Sequence, residues 1–231
     1  MAWLWVPPSG LLIKDWGEQH CVVFAPDSNA THLVPADAAG ISIEPMHGVD
    51  LTRRFFSVSF DRVRLPLRAL VGEAGRAEEQ VLRQLEVALV VLNAESVGAM
   101  QSGFDMTLAW AFDRYSFGRP LASYQALKHR FADMKAWLEA SHAVGDAAAA
   151  GVDARSSEAS ELVSAAKAYV GDYGAELLQD CVQLHGGIGV TFEHDLHLFL
   201  RRLTLNRALH GTPAEHRRRI ADLVERREEA A

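Results

Sequence analysis

Leu121-Ala-Ser-Tyr124-Gln-Ala-Leu127-Lys-His-Arg-Phe131-Ala-Asp-Met134-Lys-Ala-Trp-Leu138 sets its large apolar side chains three and four residues apart, with Lys128, Arg130, Asp133 and Lys135 between them. At helical pitch this spacing draws the apolar set into one stripe and turns the charges to the other side. Such a stripe needs a cover, and the next long segment offers one. Leu162, Ala166, Tyr169, Tyr173, Leu177, Cys181 and Leu184 repeat the period after Ser156-Ser-Glu158. There a serine oxygen can cap, and a glutamate suits the positive end of the helix dipole. Two long amphipathic helices imply a bundle.

Working outward, the same pattern predicts helices near 76–113, 120–150, 156–185, 195–209 and 213–229. The breaks are Phe117-Gly-Arg-Pro120, Gly151-Val-Asp153, Gly186-Gly-Ile-Gly189 and Gly211. Residues 1–72 read differently. They hold most of the prolines, and short apolar runs such as Cys21–Phe24, Thr31–Val34 and Phe55–Phe60 lie between turn signals like Pro26-Asp-Ser-Asn29. In Phe56-Ser-Val-Ser-Phe60 the large residues alternate with serines, as in a half-buried strand. The chain is therefore expected to be mainly α: a partial antiparallel β-domain over 1–75 ahead of a helical bundle over 76–231.

Composition fits this picture. With 231 residues, 49% hydrophobic and 23% charged, the chain can bury a real core and is not disordered. Its formal net charge of −7 and short basic clusters give no footprint for nucleic acid. Cys21 and Cys181 form no disulfide framework or metal-ligand spacing and read as packing thiols. The apolar start Met1-Ala-Trp-Leu-Trp-Val-Pro-Pro lacks a charged n-region, and no run approaches membrane-spanning length, so the expectation is a cytoplasmic subunit.

Three motifs carry more than composition. Arg114-Tyr-Ser-Phe117-Gly118 leads on to Gln125 and Ala132-Asp-Met134; Gln183-Leu-His-Gly186-Gly187-Ile-Gly189 follows, and then Arg201 through Gly211-Thr212. In order and separation these resemble the acyl-CoA dehydrogenase family, and Leu33-Val-Pro-Ala-Asp37 and Gly48-Val-Asp-Leu-Thr52-Arg53 resemble the end of that family's middle β-domain. A typical member also has an amino-terminal helical domain and a complete β-domain, for which this sequence has no room. The resemblance implies FAD as cofactor and an acyl-CoA thioester as substrate. It assigns Arg114 to the pyrophosphate, where a guanidinium fork matches phosphate oxygens. Ser116 would add a hydroxyl, Phe117 would pack on the cofactor, and Gly118 lets the chain turn beside it. Gln125 and Gln183 would offer amides, and Gly186 and Gly187 would let the backbone approach. Read locally, the two glycines are a helix C-cap, Arg114 is in a surface ion pair with Asp113 or a neighbouring carboxylate, and Tyr124, Met134 and Trp137 are core.

The family reaction needs a carboxylate base for the α-proton of the thioester. Most members carry a glutamate just before the Gly-Thr pair, where this chain has His210. A second group carries it on the first bundle helix, at a position that aligns with Ala88 when Ser96-Val97-Gly98 is matched. Glu86 and Glu95 lie nearby, but a shift of two residues turns a helix by about 200°. The resemblance thus implies a catalytically deficient subunit that completes the flavin clasp in a hetero-oligomer with a full-length dehydrogenase subunit, as in heteromeric enzymes for steroid side-chain thioesters. The alternatives are a shortened active enzyme, homo-oligomeric or otherwise, using His210, Glu86 or Glu95 as base, and a non-catalytic interaction scaffold.

Overall fold

The computed structural model describes residues 20–25 and 29–229, which fall into two compact units dividing between Leu85 and Glu86. The apolar start and residues 26–28 of the expected turn lie outside the described residues. In the first unit, β1 (His20–Ala25) and β2 (Ala30–Pro35) pair antiparallel, and the short β5 (Leu70–Val71) adds to β2. β4 (Phe55–Phe60) shows the anticipated alternation, with Phe56, Val58 and Phe60 half-buried and Ser57 and Ser59 exposed. Its partner β3 (Ile41–Met46) was not evident from the pattern. Gly40 feeds that strand at φ +94°, where a Cβ would lie 2.2 Å from the Asp61 carbonyl oxygen, so only glycine fits.

Asn29 ties the end of the β region to the first helix, α1 (Ala77–Asp113). Its carboxamide oxygen accepts the Glu78 N–H at 2.7 Å, and its amide donates to the Gly75 carbonyl at 3.0 Å. The cap of α1 thus comes from 49 residues upstream. By length and composition α1 is apolar enough to cross a membrane, which corrects the expectation that no run approaches that length. Half of its most apolar stretch is buried, with Leu89, Met100 and Phe104 turned into protein core.

In the second unit, α2 (Gln125–Asp153), α3 (Ala159–His185), α4 (Leu196–Ala208) and α5 (Pro213–Glu229) complete the bundle expected from periodicity. Val97, Met100, Phe131, Met134, Leu138, Leu177, Leu178, Cys181, Leu196 and Leu203 form one core across four helices. Each fully buried leucine or methionine contributes about 1.5–3 kcal/mol by leaving water. Cys181 belongs to this core, and burial pushes its thiol up to about 12, so it packs rather than reacts. Small residues let helices close up: at Gly174 a Cβ would meet Leu203 at 2.8 Å and Met100 at 2.9 Å.

Gly151-Val-Asp153 is not a break. α2 runs through it, and Gly151 is there because a Cβ would lie 2.7 Å from Leu162 of α3. The helix ends one turn later, with Arg155 at φ +50° and its N–H on the Val152 carbonyl (3.2 Å), and with the Ser156 N–H on the Gly151 carbonyl (2.9 Å). That is a Schellman ending with arginine where glycine is usual. Ser156 then accepts the Glu158 N–H at 3.2 Å, just ahead of α3.

Candidate functional site

α1 gives way to a two-stranded hairpin, β6 (Tyr115–Ser116) and β7 (Arg119–Pro120). Its corner residues Phe117 and Gly118 have φ of +50° and +80°, a type I′ turn that asparagine and glycine fill at least cost. Phenylalanine in that conformation costs about 1–2 kcal/mol, and here the ring is 96% exposed, so burial returns nothing. The turn is braced from behind. Tyr124 donates its hydroxyl to the Ser116 carbonyl at 2.7 Å, Arg119 lies 3.9 Å from the Tyr124 ring centroid, and the Leu121 N–H reaches the Arg114 carbonyl at 2.9 Å. Tyr124, expected as core, is thus a half-buried brace for the hairpin; Met134 is core and Trp137 half-buried. Arg114 is exposed and forms no ion pair with Asp113 among the described residues; its guanidinium lies 5.8 Å from the Trp110 ring centroid.

Trp110 links this hairpin to the glycine motif. Its indole stacks on the His185 imidazole at 5.2 Å and 17°, and His185 is the last residue of α3, directly before Gly186. Gly186 caps the helix at φ 66°, ψ −140°, open only to glycine, so the C-cap reading of this residue holds. Gly189 is fixed by packing, since a Cβ would lie 2.5 Å from the Val182 carbonyl oxygen. Gly187 is different: it is exposed and, its chain neighbours aside, nothing among the described residues lies within 4 Å of a Cβ built there. Gln183 is exposed on the last turn, and Gln125 opens α2 with its amide 3.3 Å from His129. Arg114 and the Gly186–Gly187 backbone, some 70 residues apart in sequence, are therefore joined through one aromatic stack.

His185 and Trp110 were not picked out from sequence, although one stands four residues before Arg114 and the other immediately before Gly186. His185 is buried, with Nδ1 2.8 Å from the Cys181 carbonyl. Burial lowers its pKa, with proximity of His194 acting the same way, so the ring is neutral near pH 7. Its Nε2 has no hydrogen-bond partner among the described residues, at a cost of about 1–3 kcal/mol. His194 tilts against it at 4.5 Å. No group of three or more His, Cys, Asp or Glu side chains among the described residues could hold a metal ion.

The residues considered as bases lie in other surroundings. His210 follows α4 at φ +57°, and its carbonyl accepts from Nε2 of the buried His216 at 3.0 Å. Gly211 turns at φ +105° into a capping box for α5: the Thr212 N–H donates to the Glu215 carboxylate at 2.7 Å, and the Glu215 N–H to the Thr212 hydroxyl at 3.4 Å. Glu95 pairs with Arg202 and accepts from the Asn206 amide at 2.9 Å, while Glu86 accepts from the Ser160 hydroxyl at 2.5 Å. Lys167 donates to the Asn206 carbonyl; burial, assisted by Arg207, pulls its pKa down to about 8. Both carboxylates are engaged in joining α1 to other helices of the bundle.

Residues 79–224 match the family model of the acyl-CoA dehydrogenase C-terminal domain. The chain is 32% identical to acyl-CoA dehydrogenase IpdE2 of Mycolicibacterium smegmatis over 177 residues, which is 77% of this chain and 51% of that protein. It is 35% identical to acyl-CoA dehydrogenase FadE34 of Mycobacterium tuberculosis over 186 residues, 78% of this chain and 24% of the other. The chain thus spans about half the length of the first relative and a quarter of the second. Among solved structures, acyl-CoA dehydrogenase from Geobacillus kaustophilus superposes with a TM-score of 0.79 at 21% identity, over 84% of this chain and 52% of that one. A variant of the Tcur3481-Tcur3483 steroid ACAD superposes at 0.79 with 24% identity, over 95% and 58%. A glutaryl-CoA dehydrogenase from Mycobacterium smegmatis in complex with FADH2 does so at 0.78 with 23% identity, over 90% and 54%. At these identities the superpositions speak for the fold.

Proposed function

The chain belongs to the acyl-CoA dehydrogenase family, and on that premise we propose that it grips the adenosine-diphosphate half of FAD while a partner subunit holds the flavin ring and brings the catalytic carboxylate. The observation that carries this reading is the Arg114–Gly118 hairpin. It holds Phe117 outward in a costly conformation beside an arginine that forms no ion pair among the described residues. Strain of this kind without return inside the chain is expected where a ligand or partner supplies the return.

The residues present fit such a cofactor. Arg114 and the Ser116 hydroxyl would take the pyrophosphate, Phe117 would pack on the cofactor, and the open backbone at Gly186 and Gly187 would let the adenosine approach, with Gln183 and Gln125 as amide donors and acceptors. When bound, FAD accepts the hydride that leaves an acyl thioester as its α-proton is removed. This chain's own residues bind and orient; none takes the proton. Glu86 and Glu95 are bonded into the bundle, which argues against either carboxylate as the base of a shortened enzyme.

The partner is a full-length acyl-CoA dehydrogenase subunit and the substrate a bulky acyl-CoA such as a steroid side-chain thioester. The likeness to a steroid enzyme named for two gene products supports this direction. The test is co-expression with candidate full-length subunits and measurement of flavin by absorbance in the purified complex. The assembled pair should be yellow and active, and Arg114→Ala should cut its flavin content at least tenfold. Unchanged flavin in that variant would favour the scaffold reading. A yellow, active chain purified alone would sink the proposal.

A further inference from the structure

We propose that His185 is a positioning residue for Arg114, acting through the Trp110 indole that it stacks on. The inference rests on the reading that Arg114 meets the pyrophosphate of the cofactor.

Three observations meet here. The imidazole lies nearly parallel to the indole, 5.2 Å away at 17°, and the Arg114 guanidinium is 5.8 Å from the centroid of the same indole. His185 is 5% exposed and its Nδ1 is 2.8 Å from the Cys181 carbonyl. A carbonyl only accepts, so Nδ1 carries the hydrogen and the ring plane is fixed to the α3 backbone. Nε2 is left buried without a partner among the described residues, a penalty that a hydrocarbon side chain of the same size would avoid. An imidazole is retained where its backbone bond aligns the ring. That alignment sets the indole, and the indole face holds an otherwise mobile guanidinium by cation–π attraction. Arg114 is thereby pre-oriented before any phosphate arrives, which lowers the ordering cost of binding.

The arrangement requires a neutral ring. The charged and titratable groups facing His185 are Arg114 across the indole and His194 at 4.5 Å, with the Cys181 carbonyl on its own helix. A proton taken up at Nε2 would set a second cation against the same indole and weaken its hold on the guanidinium.

The experiment follows the Arg114 side chain in the full-length chain by NMR with labelled arginine, assigned by comparison with Arg114→Lys, and titrates the same samples with ADP. Ring current from Trp110 should displace the Arg114 Cδ protons upfield at pH 8. His185→Ala should return them to the free-arginine position and weaken ADP about tenfold. His185→Phe, which keeps a ring but loses the bond to the Cys181 carbonyl that aligns it, should restore only part of the displacement. In the wild type the displacement should fade as pH drops from 8 to 5, whereas in His185→Phe it should stay flat. A folded His185→Ala chain with an unmoved Arg114 signal overturns the inference. If the signal responds as expected but the wild type shows no affinity for ADP, the positioning role stands and the flavin reading fails.

Discussion

Two regions of the bundle, both built on α3, treat their polar groups in opposite ways. Around Lys167, polar side chains close on one another: Glu95 with Arg202 and Asn206, Lys167 with the Asn206 carbonyl, His216 with the His210 carbonyl, and Thr212 with Glu215. Around His185, 18 residues further along the helix and so about 27 Å away, the hairpin and glycine motif keep their groups outward. Among the described residues, Phe117 stands in solvent, Arg114 rests on an indole, and, its chain neighbours aside, no atom lies within 4 Å of a Cβ built at Gly187. The first region uses chemistry to hold helices together. The second accepts strain and exposure that bring the isolated chain no stability. Under the proposed function the outward region receives the cofactor, while the closed region holds Glu95 and His210, two of the residues considered as bases, in contacts between helices and turns.

The sharpest way to break this contrast is at Glu95. If the carboxylate is structural, Glu95→Gln should destabilise the fold by about 3 kcal/mol in urea denaturation, since it breaks a half-buried carboxylate–guanidinium pair with Arg202. A loss below about 0.5 kcal/mol would mean that the pair does not hold the helices and would reopen Glu95 as a base.

Lys167 gives a pH test of the same region. Its folded pKa of about 8 lies below the ordinary 10.5, so between these values the unfolded chain binds more protons than the folded one. Stability contributed by this group therefore rises with pH from about 8 to 10.5, by about 3 kcal/mol, and the full burial penalty of the ammonium is felt below 8. Lys167→Met should flatten that rise; an unchanged slope would show that Lys167 is solvated. His216 works in the same direction in a lower window, its pKa being depressed by burial, so stability should also fall as pH drops below 6.5.

In the outward region the sign reverses. Phe117→Asn creates the turn pair that a type I′ hairpin prefers and should raise stability by about 1 kcal/mol, while lowering flavin retention in the assembled complex. A gain in stability with flavin retention unaltered would separate Phe117 from the cofactor. The smallest effect is expected at Glu215→Ala, which opens the capping box of α5 and should cost about 0.5 kcal/mol with no change in flavin.

The helices were legible because a buried stripe repeats within one segment, so Phe131, Met134 and Leu138 announce their side of α2 without help from the rest of the chain. What was illegible depends on neighbours far away in sequence. Gly151 looks like a terminator and is a packing glycine, because its reason is Leu162 on another helix. Tyr124 fits the apolar period of α2 yet lies before its first turn and braces a hairpin through a hydroxyl. β3 has too few large residues to stand out, and pairing with β4 makes it a strand. At the candidate site, the motif spacing marks Arg114 and Gly186–Gly187. The stack joining them uses Trp110 and His185, whose relation no periodicity encodes. The engagement of Glu86 and Glu95 likewise depends on Ser160, Arg202 and Asn206, more than 70 residues downstream.

The Phe117–Gly118 corner also carries a historical reading. A bulky residue at positive φ in open solvent is opposed by every selection for stability, and an asparagine there is a ready improvement. Under the proposed function, that lost stability is exchanged for a contact with the cofactor. In laboratory evolution for thermal tolerance without flavin selection, position 117 should be among the first to drift.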